Sequence, residues 1–327
     1  TRASSCPSPT PGPSAPTTTR ERPTVTDRFV CSDASEARGE AVTATASQVR
    51  GWLLVEVHGA WGTDAIHDSP LGPHVPDGWA AGLKRRGIRP ICIRPPHRGP
   101  SAAAIRVFFV VTTRPGTRTG RAWVRAVPTL AAVRYLTDDL RLDAEPAGWT
   151  AHDERLVLVC TNGKHDQCCA NRGRPVIRHL RETPWAEQLW ECSHIGGDRF
   201  AANIVVLPDG LYYGRMEPTD AERLLDAHAV GEIALPWYRG RSTLRFAEQA
   251  AEHAVRERYG IVGVDDVVVV PGEGHSRIRV EARGLPPVEV HLRRTVALSA
   301  EPLTCHGSPQ QQVPTYTVAD IVELTDR

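Results

Sequence analysis

Two short stretches limit what this chain can become: CTNGKHDQCCA at 160–170 and CSHIGGDRF at 192–200. Between them they hold four of the eight cysteines. Disulfide scaffolds are usually short secreted chains with dispersed cysteines, so one tight cluster in a chain of 327 residues favours metal or redox chemistry. Cys160 and Cys169 stand at C-x8-C spacing, and Asn162-Gly163 supplies a turn that folds the polar loop back and presents both thiols on one side. Cys168 is next to Cys169, and neighbouring side chains diverge, so we expect Cys169 to face the site and Cys168 to pack elsewhere. The spacing is not that of a zinc-finger knuckle. In the second stretch, an extended backbone puts Cys192 and His194 on one face. Gly196-Gly197, having no side chains, lets the main chain approach a bulky inorganic group. The candidate metal ligands are therefore Cys160 and Cys169 from the first stretch and Cys192, His194 and Asp198 from the second, and Gly163, Gly196 and Gly197 shape the backbone around the bound group. His165 and Asp166 are read as loop-shaping residues, and Cys6, Cys31, Cys92 and Cys305 as structural.

The length accommodates two domains. Residues 1–28, rich in Pro, Ser and Thr, read as a disordered lead. Residues 29–150 form an N-terminal α/β domain: GWLLVEVHGAWG (51–62) is a strand entering a loop, VPDGWAAGLKRRG (75–87) a helix ending at Gly87, and 88–94, 103–113 and 120–127 are strands. Residues 151–240 read strand (154–160), helix (170–181), extended segment (188–194), a hairpin about Pro208-Asp209-Gly210, and a helix at 219–231 with Thr219 and Glu222 in capping-box spacing. This order fits a thioredoxin-like α/β unit. The first half has a similar order but no residue-level repeat. Residues 241–327 form a β-rich C-terminal extension: a helix at 240–260, N-capped by Ser242 and closed by Gly260, then a three-stranded meander.

The two cysteine motifs, with CSDASEARGEAVTATA (31–46), WLLVEVHGAWGTDAI (52–66) and WYRGR (237–241), resemble the sucrase/ferredoxin-like family over most of the chain from about residue 30. The resemblance implies a thioredoxin-like [2Fe-2S] ferredoxin domain and an electron-transfer protein, with the C-x8-C cysteines on one iron and an H-x3-H pair on the other. Cys160, Cys169 and His194 match that pattern, whereas Asp198 stands where the family has its second histidine. Asp198 or Cys192 could then complete the set, and either should lower the potential relative to histidine by adding negative charge.

Charge and patterning narrow the remaining classes. With 39 basic and 38 acidic side chains the net charge is +1, so nothing draws the chain to nucleic acid or an anionic membrane. No apolar run approaches the length of a membrane span. No G-x-S-x-G elbow or phosphate-cradling glycine loop occurs, and no carboxylate pair can be singled out for glycoside hydrolysis. A cytoplasmic electron carrier is expected rather than an enzyme with its own substrate, its partners being a reductase and an acceptor, with Arg172, Arg174 and Arg199 as a basic rim. The alternatives are a metal-free thiol/disulfide redox protein, which lacks the usual C-x-x-C, and a zinc-stabilised binding module.

Overall fold

The structure, a computed structural model, describes residues 29–96, 104–114, 116, 120–272 and 274–324; the proposed lead, with Cys6, lies outside these residues. Alternating burial explains the first half. β1 (Gly51–Glu56) is fully buried, with Trp52 and Leu54 facing one apolar cluster and Leu53 and Val55 another. Around it lie β2 (Ile88–Arg94), β3 (Ile105–Val111) and β4 (Arg121–Val127), in the order β2-β1-β3-β4. β1 is parallel to β2 and antiparallel to β3. The crossover carries α2 (Trp79–Arg85), shorter than the patterning suggests, and α1 (Cys31–Ala37) precedes the sheet. A short β5 (Thr150–His152) pairs with β4 at the sheet edge.

The second half repeats this plan. β6 (Leu156–Cys160) leads into α3 (Gln167–Leu180) and returns as β7 (Leu189–Cys192), parallel to β6. β8 (Ile204–Leu207) and β9 (Leu211–Tyr213) follow as the expected hairpin, with β8 antiparallel to β6. The order β7-β6-β8-β9, followed by α4 (Pro218–Ala229), is thioredoxin-like. It is also the order of the first half, so the two halves share a topology without sharing a visible repeat. They meet edge to edge where β2 pairs antiparallel with β7, Ile93 opposite Cys192. With β10 (Tyr238–Arg241) on β9, one ten-stranded sheet runs through both halves.

Two helix starts differ from expectation. α4 begins at Pro218 with Glu217 as its cap residue, and no side chain caps it, so the Thr219/Glu222 box does not form. Proline at the first helical position needs no N–H partner and fixes a helical φ, which sets the start without a cap. α5 (Phe246–Tyr259) is capped at Arg245, whose N–H donates to Glu248 at 2.8 Å, and not at Ser242. Gly260 closes it at φ 67°, as expected. Beyond it the extension is four-stranded: β11 (Val267–Val269), β12 (Arg277–Ala282), β13 (Val288–Leu298) and β14 (Gln312–Glu323), the last being absent from the three-stranded expectation.

The inner face of α4 buries His228, 1 % exposed, with Nε2 2.8 Å from the Tyr213 hydroxyl. Burial, reinforced by Arg155 and Arg241, pushes its pKa down to about 3. Between pH 6.5 and about 3 the unfolded chain takes up a proton that the folded chain refuses. Stability should therefore be intact above pH 6.5 and fall through that window, by a few kcal/mol at roughly 1.4 kcal/mol per pH unit. In acid-unfolding curves, His228→Gln should flatten this part of the slope; an unchanged slope contradicts the assignment.

Candidate metal centre

Strand alternation turns Cys160, the last residue of β6, toward the same apolar cluster as Leu156 and Leu158. The chain then turns through Thr161–His165, and Asp166 caps α3 by accepting from the Cys168 N–H at 2.9 Å. α3 therefore begins at Gln167, earlier than the apolar pattern indicates, and places Cys168 and Cys169 in its first turn. Adjacent helical residues point about 100° apart, so Cys169 faces Cys160 while Cys168 faces Cys31 and Cys305. Gly173 makes the close docking of α3 possible, because a Cβ there would run into the Cys160 carbonyl.

The ligand atoms of Cys160, Cys169 and His194 lie within 4.8 Å of one another, as do those of His165, His194 and Asp198. Both cysteines are 1 % exposed. The Cys169 thiol donates to Asp198 Oδ1 at 3.1 Å. His194 Nδ1 lies 2.8 Å from the same oxygen, so the Asp198 carboxylate is shared between the Cys169 thiol and the His194 ring. Cys192 lies opposite Cys160 on the adjacent strand, fully buried in the same apolar cluster, and joins none of these ligand groups.

Sequence reasoning missed His165. Its ring stacks on His194 at 3.9 Å between centroids, and its Nε2 lies 3.8 Å from Asp198 Oδ2. Its Nδ1 is 3.2 Å from the Thr63 carbonyl, which can only accept, so Nδ1 carries the proton and Nε2 is left to face the site. Thr63 also donates to the Lys164 carbonyl at 3.3 Å. The HGAWGTDAI loop of the first half thus braces the cysteine loop, a role visible only once both halves are folded together.

Burial and charge set the protonation states. The Cys169 thiol beside Cys160 holds Cys160 well below the ordinary thiol range against the cost of burial, with help from His194. Cys169 is pushed up correspondingly by Cys160 and by burial. Burial opposes the charge on His194, but Asp198 and the Cys160 sulfur outweigh it and raise the ring to about 9. Asp198 stays below the usual carboxylate range despite burial, through His194 and Cys169. At neutral pH the site is a thiolate, a thiol, an imidazolium and a carboxylate, so taking up a metal would release protons from Cys169 and His194.

The Gly196-Gly197 backbone is left-handed at φ 104° and 85°, but the space their missing side chains leave is taken by protein: Ser47 at Gly196 and the Arg239 guanidinium at Gly197. Gly163 likewise makes room for Ala170 of α3. The glycines therefore set the loops against the scaffold rather than against a bound group. Buried Arg239 donates to the Gly196 carbonyl at 2.9 Å, to Asn203 Oδ1 at 2.7 Å and to the Thr45 carbonyl at 2.6 Å. Arg89 donates to the carbonyls of His194 at 2.9 Å and Ile195 at 3.1 Å. These two arginines fix the loop that carries His194 and Asp198. Of the expected basic rim, Arg172 is paired with Asp33, Glu36 and Glu217, and Arg199 with Glu40, while Arg174 lines a surface cleft with Lys164 and Arg94.

Strand order and donor set together define a thioredoxin-like α/β protein with a cysteine-rich site able to hold metal. The chain belongs to the sucrase/ferredoxin-like family, whose profile matches residues 42–240. Two solved structures are similar to part of it: the thioredoxin-like [2Fe-2S] ferredoxin from Aquifex aeolicus and a cysteine-to-serine variant of that protein. The variant is 22% identical, with a TM-score of 0.24, over 27% of this chain and 100% of its own. The unsubstituted ferredoxin is 22% identical, with a TM-score of 0.23, over 27% of this chain and 91% of its own. No curated protein matches the chain. Among the described residues, no helix is long and apolar enough to cross a membrane.

Proposed function

We propose that this protein is an electron carrier whose [2Fe-2S] cluster is held by Cys160 and Cys169 on one side and His194 and Asp198 on the other. The convergence of two cysteine sulfurs and a histidine nitrogen within 4.8 Å of one another, beside the Asp198 carboxylate, supports this reading most strongly. When bound, such a cluster supplies reversible one-electron chemistry. The chain's own groups do the rest. Trp190 and Ile195 pack in the same apolar cluster as the two cysteines and keep water from the sulfurs. His165 and His194, 32 % and 25 % exposed at the side chain, form the outer edge of the site, and an electron would leave by that edge to a docked reductase or acceptor. Lys164 and Arg174 offer an acidic partner its nearest positive charge. The seven free cysteines among the described residues suit a reducing compartment such as the cytoplasm.

Single substitutions test the fourth ligand. Asp198→Ala should abolish cluster binding, whereas His165→Ala should keep the cluster and shift its potential. The reverse pattern would move the fourth position to His165. Asp198→His, which restores the pair of histidines, should retain the cluster and raise its potential by on the order of 100 mV, because a neutral ring replaces a carboxylate. An unchanged potential, read by redox titration, would remove Asp198 from the ligand set.

A further inference from the structure

Cys168, turned away from the first site, meets two cysteines from remote parts of the chain. Its sulfur is 3.5 Å from that of Cys31, at the start of α1, and 3.3 Å from that of Cys305, in the loop joining β13 to β14. The Cys31 and Cys305 sulfurs are 3.6 Å apart, which closes a nearly equilateral triangle. Asp166 completes the group, its two oxygens 3.8 and 3.7 Å from the Cys31 sulfur. All four ligand atoms lie within 4.8 Å of one another, and Cys31, Cys168 and Asp166 are almost fully buried.

Three sulfurs and a carboxylate drawn together from positions 31, 166, 168 and 305 form a donor set that apolar packing does not require. A disulfide would join two of the sulfurs and leave the third thiol buried beside a carboxylate. The three sulfurs, 3.3 to 3.6 Å apart, are spaced as ligands of one metal. A single tetrahedral ion fits: bonds of about 2.3 Å place thiolate ligands about 3.8 Å apart, and zinc accepts three thiolates with one further donor. The carboxylate is already oriented, since Asp166 accepts from the Cys168 N–H at 2.9 Å and the Cys305 N–H at 2.7 Å, the kind of support that ligating groups receive.

We infer that Cys31, Cys168, Cys305 and Asp166 bind one structural zinc ion, at a second site separate from the proposed cluster. The ion ties the loop at 299–311 to the first turn of α3 and to α1, anchoring the long β13/β14 hairpin to the sheet that carries the redox site. That hairpin lines a cleft of about 520 Å³ together with Phe246 and His253 of α5, so the ion also sets the position of part of its lining. The vicinal pair divides its work: Cys169 serves the first site and Cys168 the second.

Metal analysis of the full chain, purified without oxygen, tests this. About one zinc per chain should survive dialysis against a chelator. Cys168→Ser and Cys305→Ser should lose the zinc and keep the visible chromophore of the first site, while Cys169→Ser should lose the chromophore and keep the zinc. Colour reads one site and zinc the other, so failure of either reading leaves the other intact. Cys305 lies in a half-buried loop, so its replacement should not disturb folding. As a second measurement, cobalt(II) added to Cys160→Ser/Cys169→Ser protein refolded without zinc should give the intense near-ultraviolet charge-transfer bands of a thiolate site. Zinc-free wild-type protein from zinc-replete cells, a disulfide among the three cysteines, zinc retained in Cys305→Ser, or no cobalt–thiolate bands would each overturn the inference.

Discussion

Cys160→Ser and Cys169→Ser will each purify as folded protein without visible absorption. Both sulfurs are buried at the junction of β6 and α3, and the proposed function gives them the same iron, so a serine hydroxyl at either position removes half of that iron's protein ligands. The fold should survive at a cost of about 1 kcal/mol, because the change is close to isosteric and polar neighbours remain: the Cys160 position keeps its backbone N–H on the Asn203 carbonyl at 3.0 Å, and Asp198 remains beside position 169. Circular dichroism close to wild type together with a flat visible spectrum is the expected pair of results. A red-brown Cys169→Ser protein would remove Cys169 from the site.

Replacing Arg239 should have the largest effect of any change away from the ligands. The side chain is fully buried, burial lowers its pKa to about 10, and no carboxylate forms a salt bridge with it among the described residues; carbonyl and amide oxygens and the Thr45 hydroxyl take its protons. Arg239→Met leaves those acceptors facing a thioether. At about 1–3 kcal/mol for a buried acceptor stranded in this way, a loss of roughly 3 kcal/mol or more is expected. The same change frees the Gly196-Gly197 backbone from its brace, so His194 and Asp198 lose their fixed position and the bound metal should become labile to chelators. Arg239→Lys keeps the charge but cannot span the fork of acceptors, and should fall between the two. Wild-type stability and metal retention in Arg239→Met would show that the loop is held by Arg89 and its neighbours alone.

Much of this was legible locally. The strands at β1, β2 and β6 and the β8/β9 hairpin announce themselves through continuous apolar runs and Pro-Asp-Gly, because each depends on residues within a few positions. The density of thiols at 160–169 marked the site for the same reason. What could not be read depends on distant partners. Nothing in the residues around Cys31 or Cys305 points to Cys168, since 137 positions separate each from it. His165 looked like a loop residue because the carbonyl that orients it belongs to Thr63, 102 positions away. The similar order of the two halves was legible, but it left no residue-level repeat, because β1 ends in Glu56, held by Arg106, where β6 ends in Cys160: the same position in the topology carries unrelated chemistry. β14 escaped notice because most of its residues are exposed, so its side chains show little of the alternation that marks a half-buried strand.

The central claim is that the cysteine–histidine site holds a [2Fe-2S] cluster, and its most direct test is iron and acid-labile sulfide analysis, with a visible spectrum, on protein purified without oxygen from cells that assemble such clusters. About two irons and two sulfides per chain, with visible bands that bleach on dithionite reduction, are expected. Colourless protein with neither iron nor sulfide would contradict the account and leave the site to thiol chemistry or zinc.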